Sequence, residues 1–243
     1  MAALFFMSYM FQNNVIVKNA NEYSDEENIM SKLILFQGDS ITDCERNRDD
    51  ITSTGTGYVH MVKGQLGCEY PGEYGLINKG ISGNRIVDVY ARIKSDIINL
   101  KPDFMSLLIG VNDVWHELGG KHNGVDAEKF EKIYDMLIAE TLEALPDIKI
   151  MILEPFVLEA EATMATEVEP ERWNYFRTEV PLRAAAARHI AEKYGLPFVE
   201  LQNKFDDVCK QAPASYWLKD GVHPTPMGHW IIKSEWMKVF QEM

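Results

Sequence analysis

Short apolar runs that stop at glycine or proline constrain this chain more than any other feature of its sequence. Leu33-Ile34-Leu35-Phe36 is closed by Gly38, Leu76-Ile77-Asn78 by Gly80, and Phe104-Met105-Ser106-Leu107-Leu108-Ile109 by Gly110. Ile148 to Leu153 ends at Pro155, and Pro197-Phe198-Val199-Glu200-Leu201 makes a fifth run. Runs this short with little polar alternation predict strands covered on both faces, as in a parallel sheet. Helical patterns fall between them. Phe130, Ile133, Tyr134, Leu137, Ile138, Thr141, Leu142 and Leu145 follow the spacing of one buried helix face, with Asp126 placed to cap it. Glu171 to Tyr194 is helical in composition and stops at Gly195, while Pro181 within it predicts a kink or a break. A last helix opens with Thr225 as N-cap and Pro226 at its first position, and is expected to turn Trp230, Ile231 and Trp236 toward the core.

Strand alternating with helix predicts an α/β chain with helices on both faces of its sheet. Right-handed crossovers and short loops make that a single-domain three-layer α/β/α sandwich, a flavodoxin-like doubly wound five-stranded parallel sheet, over residues 31–243. Residues 1–30 read differently. Leu4 to Phe11 is apolar, but eight residues cannot span a membrane, and no Lys or Arg precedes them as in a signal peptide. Asn19 to Asn28 is polar and acidic, so residues 1–30 are expected to be a dispensable, disordered extension. Pro155 to Pro170, rich in glutamate, predicts an exposed acidic loop.

Lys and Arg number 24 against 37 Asp and Glu, a net charge of −13. That surface repels phosphate, which argues against nucleic acid or an anionic membrane as partner. Cys44, Cys68 and Cys209 are too few and odd in number for a disulfide framework, no CxxC pair suggests zinc, and free thiols fit the cytoplasm. Cys44 reads as a small buried side chain. His116-Glu117 and His122 lack the spacing of a zinc hydrolase, and no dinucleotide fingerprint follows the first strand. No metal and no cofactor is expected.

In an open parallel sheet, ligands bind at the carboxyl ends of the strands. Gly38-Asp39-Ser40 follows strand one, Gly80-Ile81-Ser82-Gly83-Asn84 strand two, and Gly110-Val111-Asn112-Asp113 strand three. Asp220-Gly221-Val222-His223 lies just before the final helix. Taken singly, Asp39-Ser40 reads as a helix cap, Asn112-Asp113 as a turn and His223 as a structural histidine. Together they supply a hydroxyl, a base with a suitable pKa, and a carboxylate three residues from that base in a glycine-containing turn.

These four blocks, in this order, resemble the SGNH/GDSL hydrolases over essentially all of Lys32 to the C-terminus. Gly38-Asp39-Ser40-Ile41-Thr42-Asp43-Cys44, Gly55-Thr56-Gly57-Tyr58, Asn78 to Asn84 and Ile109 to Trp115 are similar to the bacterial acetylxylan-esterase branch. The resemblance implies a serine esterase with Ser40 as nucleophile, His223 as general base and Asp220 orienting it. It implies an oxyanion hole made by the backbone N–H groups of Ser40 and Gly83 and the side-chain amide of Asn112. Asp39 and Asp113 are expected to hold the loops. Arg85, Trp115, Tyr216 and Trp217 stand beside these blocks as pocket residues, the two tryptophans favoured because sugar rings stack on indoles. The expected partner is a small-molecule or oligosaccharide ester, acetylated xylo-oligosaccharide first, and the branch allows a homo-oligomer. A lysophospholipase or thioesterase, or a non-catalytic carbohydrate-binding protein, are the competing readings.

Overall fold

The computed structural model describes residues 31–243, so the expected extension at residues 1–30 lies outside the described residues. Five strands form one sheet: β1 Lys32–Gly38, β2 Tyr74–Asn78, β3 Phe104–Leu108, β4 Lys149–Leu153 and β5 Phe198–Val199. Their order is β2-β1-β3-β4-β5, every neighbouring pair parallel. The chain steps outward from β1 to β2, then returns past β1 to β3. The crevice at the carboxyl ends of β1 and β3 is therefore the switch point where a ligand is accommodated. Register keeps those ends level, with Phe36 opposite Asn78 and Gly38 opposite Leu108.

Alternate residues of each strand feed two apolar cores, because successive side chains leave opposite faces of a sheet. Ile34, Phe36, Leu108 and Leu153 pack against Tyr58, Leu66, Trp236 and Phe240 on one face. Leu35, Leu107, Ile150 and Ile152 pack against Ile86, Phe130, Tyr134 and Ile190 on the other. Each fully buried aliphatic or aromatic side chain contributes about 1.5–3 kcal/mol by leaving water.

The Ala127–Ala144 helix forms as expected, with the Asp126 carboxylate accepting from the Lys129 N–H at 2.9 Å. Three other expectations are corrected. Pro181 does not break its helix, which runs from Arg172 to Tyr194 and ends on left-handed Gly195. Trp230 in the Pro226–Phe240 helix is 58% exposed, because it lies at the margin of the buried stripe formed by Ile232, Trp236, Met237 and Phe240, about a quarter turn from its centre. The Pro155–Pro170 segment is exposed only in its later part. Phe156, Val157, Leu158 and Thr163 are buried, and Leu158 and Ala162 donate backbone N–H groups to the carbonyls of Gly221 and Asp220, each at 2.9 Å.

Candidate active site

Ser40 is the first residue of a one-turn helix, Ser40–Asp43, that follows β1 directly. Asp39 caps it, its Oδ1 accepting from the Ile41 N–H at 2.9 Å. The loop after β2 lies against this turn so closely that a Cβ on Gly80 would come within 2.4 Å of the Asp43 nitrogen. Only a hydrogen fits there. Polar side chains then knit the loops. Asn78 Nδ2 donates to the carbonyls of Thr42 (2.6 Å) and Thr54 (3.0 Å), and Asp43 accepts from both the N–H and the hydroxyl of Ser82 at 2.9 Å. Asp113, after β3, accepts from the Ile86 N–H at 3.0 Å. The structural roles expected for Asp39 and Asp113 correspond to these contacts.

Asn112 Nδ2 donates to the Asn84 carbonyl at 3.1 Å. That contact fixes which amide atom is nitrogen and leaves its second N–H unused. Gly83 has φ +84°, a conformation suited to glycine, and nothing would stand within 4 Å of an added Cβ. Its backbone is open to the cavity.

Asp220 and His223 reach Ser40 from the turn that precedes the last helix. Ser40 Oγ lies 2.8 Å from His223 Nε2, and His223 Nδ1 lies 2.7 Å from Asp220 Oδ2. The other Asp220 oxygen accepts from the N–H groups of His223 (2.8 Å) and Val222 (3.0 Å). Burial works against the Asp220 carboxylate, but the hydrogen bonds from the His223 ring and from these two backbone groups prevail and pull it down to about 2. The Asp220 hydrogen bond in turn lifts the pKa of His223 above its ordinary value, against the effect of burial. Such a carboxylate holds the imidazole in one tautomer, with Nε2 free to take the serine proton.

Other titratable groups nearby behave differently. Asp39 is buried, its Oδ2 has no partner, and burial pushes its pKa up to about 7. Burial likewise raises Asp113 well above the carboxylate range. His229, in the last helix, accepts the Tyr58 N–H on Nδ1 at 3.2 Å, so Nε2 carries the hydrogen, 3.3 Å from Cys44 Sγ. Burial pushes His229 down to about 4. Cys44, expected to be buried, is partly exposed because it terminates the Ser40–Asp43 helix in a left-handed conformation.

A cavity of about 210 Å³ over Ser40 is lined by Ser40, Ser82, Gly83, Asn112, Trp115, His116, Lys121 and His223. Trp115 is part of this lining, its ring 5.9 Å from that of His223. Arg85, Tyr216 and Trp217 are absent from this lining. The Arg85 guanidinium is turned to Asp88 (2.9 Å) and to the carbonyl and side chain of Asn123 (2.5 and 2.6 Å). Trp217 bonds the Ala212 carbonyl at 3.3 Å and packs edge-on to Tyr216. Ser82, His116 and Lys121 were missed. Ser82 lies inside a block already singled out, and a Gly-Gly-Lys-His turn was the only sign of Lys121.

Residues 36–231 match the GDSL-like Lipase/Acylhydrolase family. The chain belongs to that family. An acetylxylan esterase of Geobacillus stearothermophilus is 35% identical over 214 residues, covering 84% of this chain and 92% of that protein. Its crystal structure superposes with a TM-score of 0.73 at 34% identity, over 85% of this chain and 93% of the other. Two of its variants, each with one residue changed to alanine (a serine and an aspartate), are described as catalytic mutants. A Parabacteroides merdae protein described as GDSL-like superposes with a TM-score of 0.80 at 34% identity, over 88% and 97% of the two chains. Membership makes this chain a carboxylic ester hydrolase of the serine acylhydrolase kind. Among the described residues, no helix is long and apolar enough to cross a membrane.

Proposed function

We propose that this family member hydrolyses short acyl esters, acetyl groups first, on carbohydrate such as xylo-oligosaccharides, through an acyl-enzyme on Ser40. The observation that carries the reading is the pair of contacts Ser40–His223 at 2.8 Å and His223–Asp220 at 2.7 Å. Ser40 Oγ forms the bond to the acyl carbon while His223 Nε2 takes its proton. The negative charge on the acyl oxygen meets the N–H groups of Ser40 and Gly83 and the free N–H of Asn112. Collapse breaks the ester C–O bond, and His223 returns its proton to the departing alcohol. Water, deprotonated by the same imidazole, then attacks the acyl-enzyme and releases the acid and Ser40. Asp220 stays ionised throughout and stabilises the imidazolium.

The relationship to an acetylxylan esterase favours acetyl, and a 210 Å³ cavity suits a small acyl group. The unpaired Cys44, Cys68 and Cys209 favour a reducing compartment such as the cytoplasm. The test is hydrolysis of p-nitrophenyl acetate by wild type and Ser40→Ala, followed by acetate release from acetylated xylo-oligosaccharides. Ser40→Ala is expected to abolish both. Equal rates in the two proteins remove Ser40 from the mechanism. Faster turnover of long-chain esters or acyl-CoA than of acetylated sugar moves the substrate to the lysophospholipase or thioesterase reading.

A further inference from the structure

The chain carries thirteen more acidic than basic residues, yet no carboxylate lines the cavity over Ser40. Its one lysine is Lys121. Among the described residues, no Asp or Glu oxygen lies within 4 Å of the Lys121 ammonium, whereas neighbouring Glu117 turns its carboxylate to the Gly124 N–H (3.0 Å) and toward His122 (3.7 Å). His116, also in the lining, is pushed below its ordinary pKa by burial and then by the Lys121 charge, so it stands neutral beside the lysine.

The segment bearing Lys121 is tied down on several sides. The Asn123 N–H donates to the His116 carbonyl at 2.9 Å, closing the loop. The Gly119 N–H donates to the Glu169 carboxylate at 3.0 Å. Arg85 grips Asn123 at both its carbonyl and its side chain. Gly119 and Gly120, with φ of +65° and +75°, make the turn that brings the lysine round. A cation held at the mouth of a reaction cavity, without a protein counter-ion, is placed to meet charge on the substrate.

We propose that Lys121 makes this enzyme prefer esters whose alcohol half carries a carboxylate, such as an acidic sugar. The proposal rests on the short-acyl esterase reading above. An acetyl group has no position for a charge, so the anionic group must belong to the alcohol. One ammonium beside a neutral imidazole matches a singly charged carboxylate. A phosphate would call for a guanidinium fork or several N–H donors.

The experiment compares kcat/KM for 4-acetoxybenzoate and for the neutral 4-acetoxybenzamide in wild type, Lys121→Gln and Lys121→Glu. Taking the ratio within each protein and comparing it between proteins removes the difference in leaving-group chemistry. The carboxylate-to-amide ratio is expected to fall roughly threefold in Lys121→Gln, the scale of one exposed ion pair, and further in Lys121→Glu. The wild-type preference should shrink as ionic strength rises from about 0.02 to about 0.5 M. A ratio unchanged across the three proteins, with both probes cleaved in a Ser40-dependent way, overturns the role of Lys121 and leaves the esterase reading standing. If wild type cleaves neither probe faster than Ser40→Ala, the esterase reading falls and takes this proposal with it.

Discussion

His223 and His229 stand six residues apart on the same side of the sheet, and the fold gives them opposite chemistry. His223 faces a carboxylate, has a raised pKa, and presents Nε2 to a serine at 2.8 Å. His229 faces a backbone N–H, is pushed down to about 4 by burial, and presents an Nε2 hydrogen to Cys44. A base must change charge readily near neutral pH, and a buried imidazole without a carboxylate does not. A carboxylate on the far nitrogen of His223, and burial without one at His229, separate the two. On the proposed mechanism the aspartate makes His223 the proton carrier, while burial against a peptide N–H leaves His229 a neutral linchpin between the last helix and the start of the Tyr58–Glu69 helix.

The largest expected contrast comes from removing each partnership in turn. Asp220→Asn should lower kcat on p-nitrophenyl acetate by roughly 10³–10⁴-fold, since the amide no longer selects the productive tautomer. His229→Leu should leave kcat of the folded protein little changed. If the two variants lost activity equally, His229 would belong to the reaction and the contrast would collapse. In wild type the acid limb of kcat/KM should have its midpoint above the ordinary histidine value of 6.5, activity rising as His223 loses its proton.

A smaller effect appears in stability. His229→Leu strands the buried Tyr58 N–H and should cost about 1–3 kcal/mol, read from urea unfolding at pH 7. The smallest and most diagnostic difference is in how stability responds to pH. Between pH 6.5 and about 4 the unfolded chain protonates His229 and the native protein does not. The depressed pKa therefore costs stability on acidification, about 2 kcal/mol by pH 5. Asp39, raised to about 7, acts in reverse, because the native state already holds the proton that the unfolded chain takes up only near pH 4. Its contribution grows on acidification over the same window, by about 2 kcal/mol. Relative to wild type, His229→Leu should thus lose less stability from pH 7 to pH 5 and Asp39→Asn should lose more. Parallel curves for all three proteins would show that neither group titrates as its burial requires.

The sheet and the residues converging on Ser40 were legible because each depends on a local pattern. Four of the five strands are apolar runs with a glycine or proline terminator, and Asp220 to His223 is a contact over three residues. What escaped depended on distant packing. Trp230 and Trp236 are indistinguishable by composition, and only the face presented to Phe36 decides that Trp236 is buried. Arg85 stands beside the Gly80–Asn84 block, yet Asp88 and Asn123 draw its side chain away from the cavity. Pro181 loses one N–H without ending its helix, because the neighbouring Phe176, Val180, Ala184 and Ala187 are buried in the core and hold both halves in line. Lys121 gave no signal beyond two glycines.

The hydrogen bond between Ser40 and His223 joins residues 183 positions apart. All five strands are complete by Val199, and Ser40, Gly83 and Asn112 precede Asp113, so a chain emerging from the ribosome holds most of the cavity lining before it holds His223. Contacts this distant in sequence are slow to form. The Ser40 hydroxyl therefore has no imidazole partner until the Asp220–His223 turn docks, and on the proposed mechanism the enzyme cannot begin attacking esters while still being made.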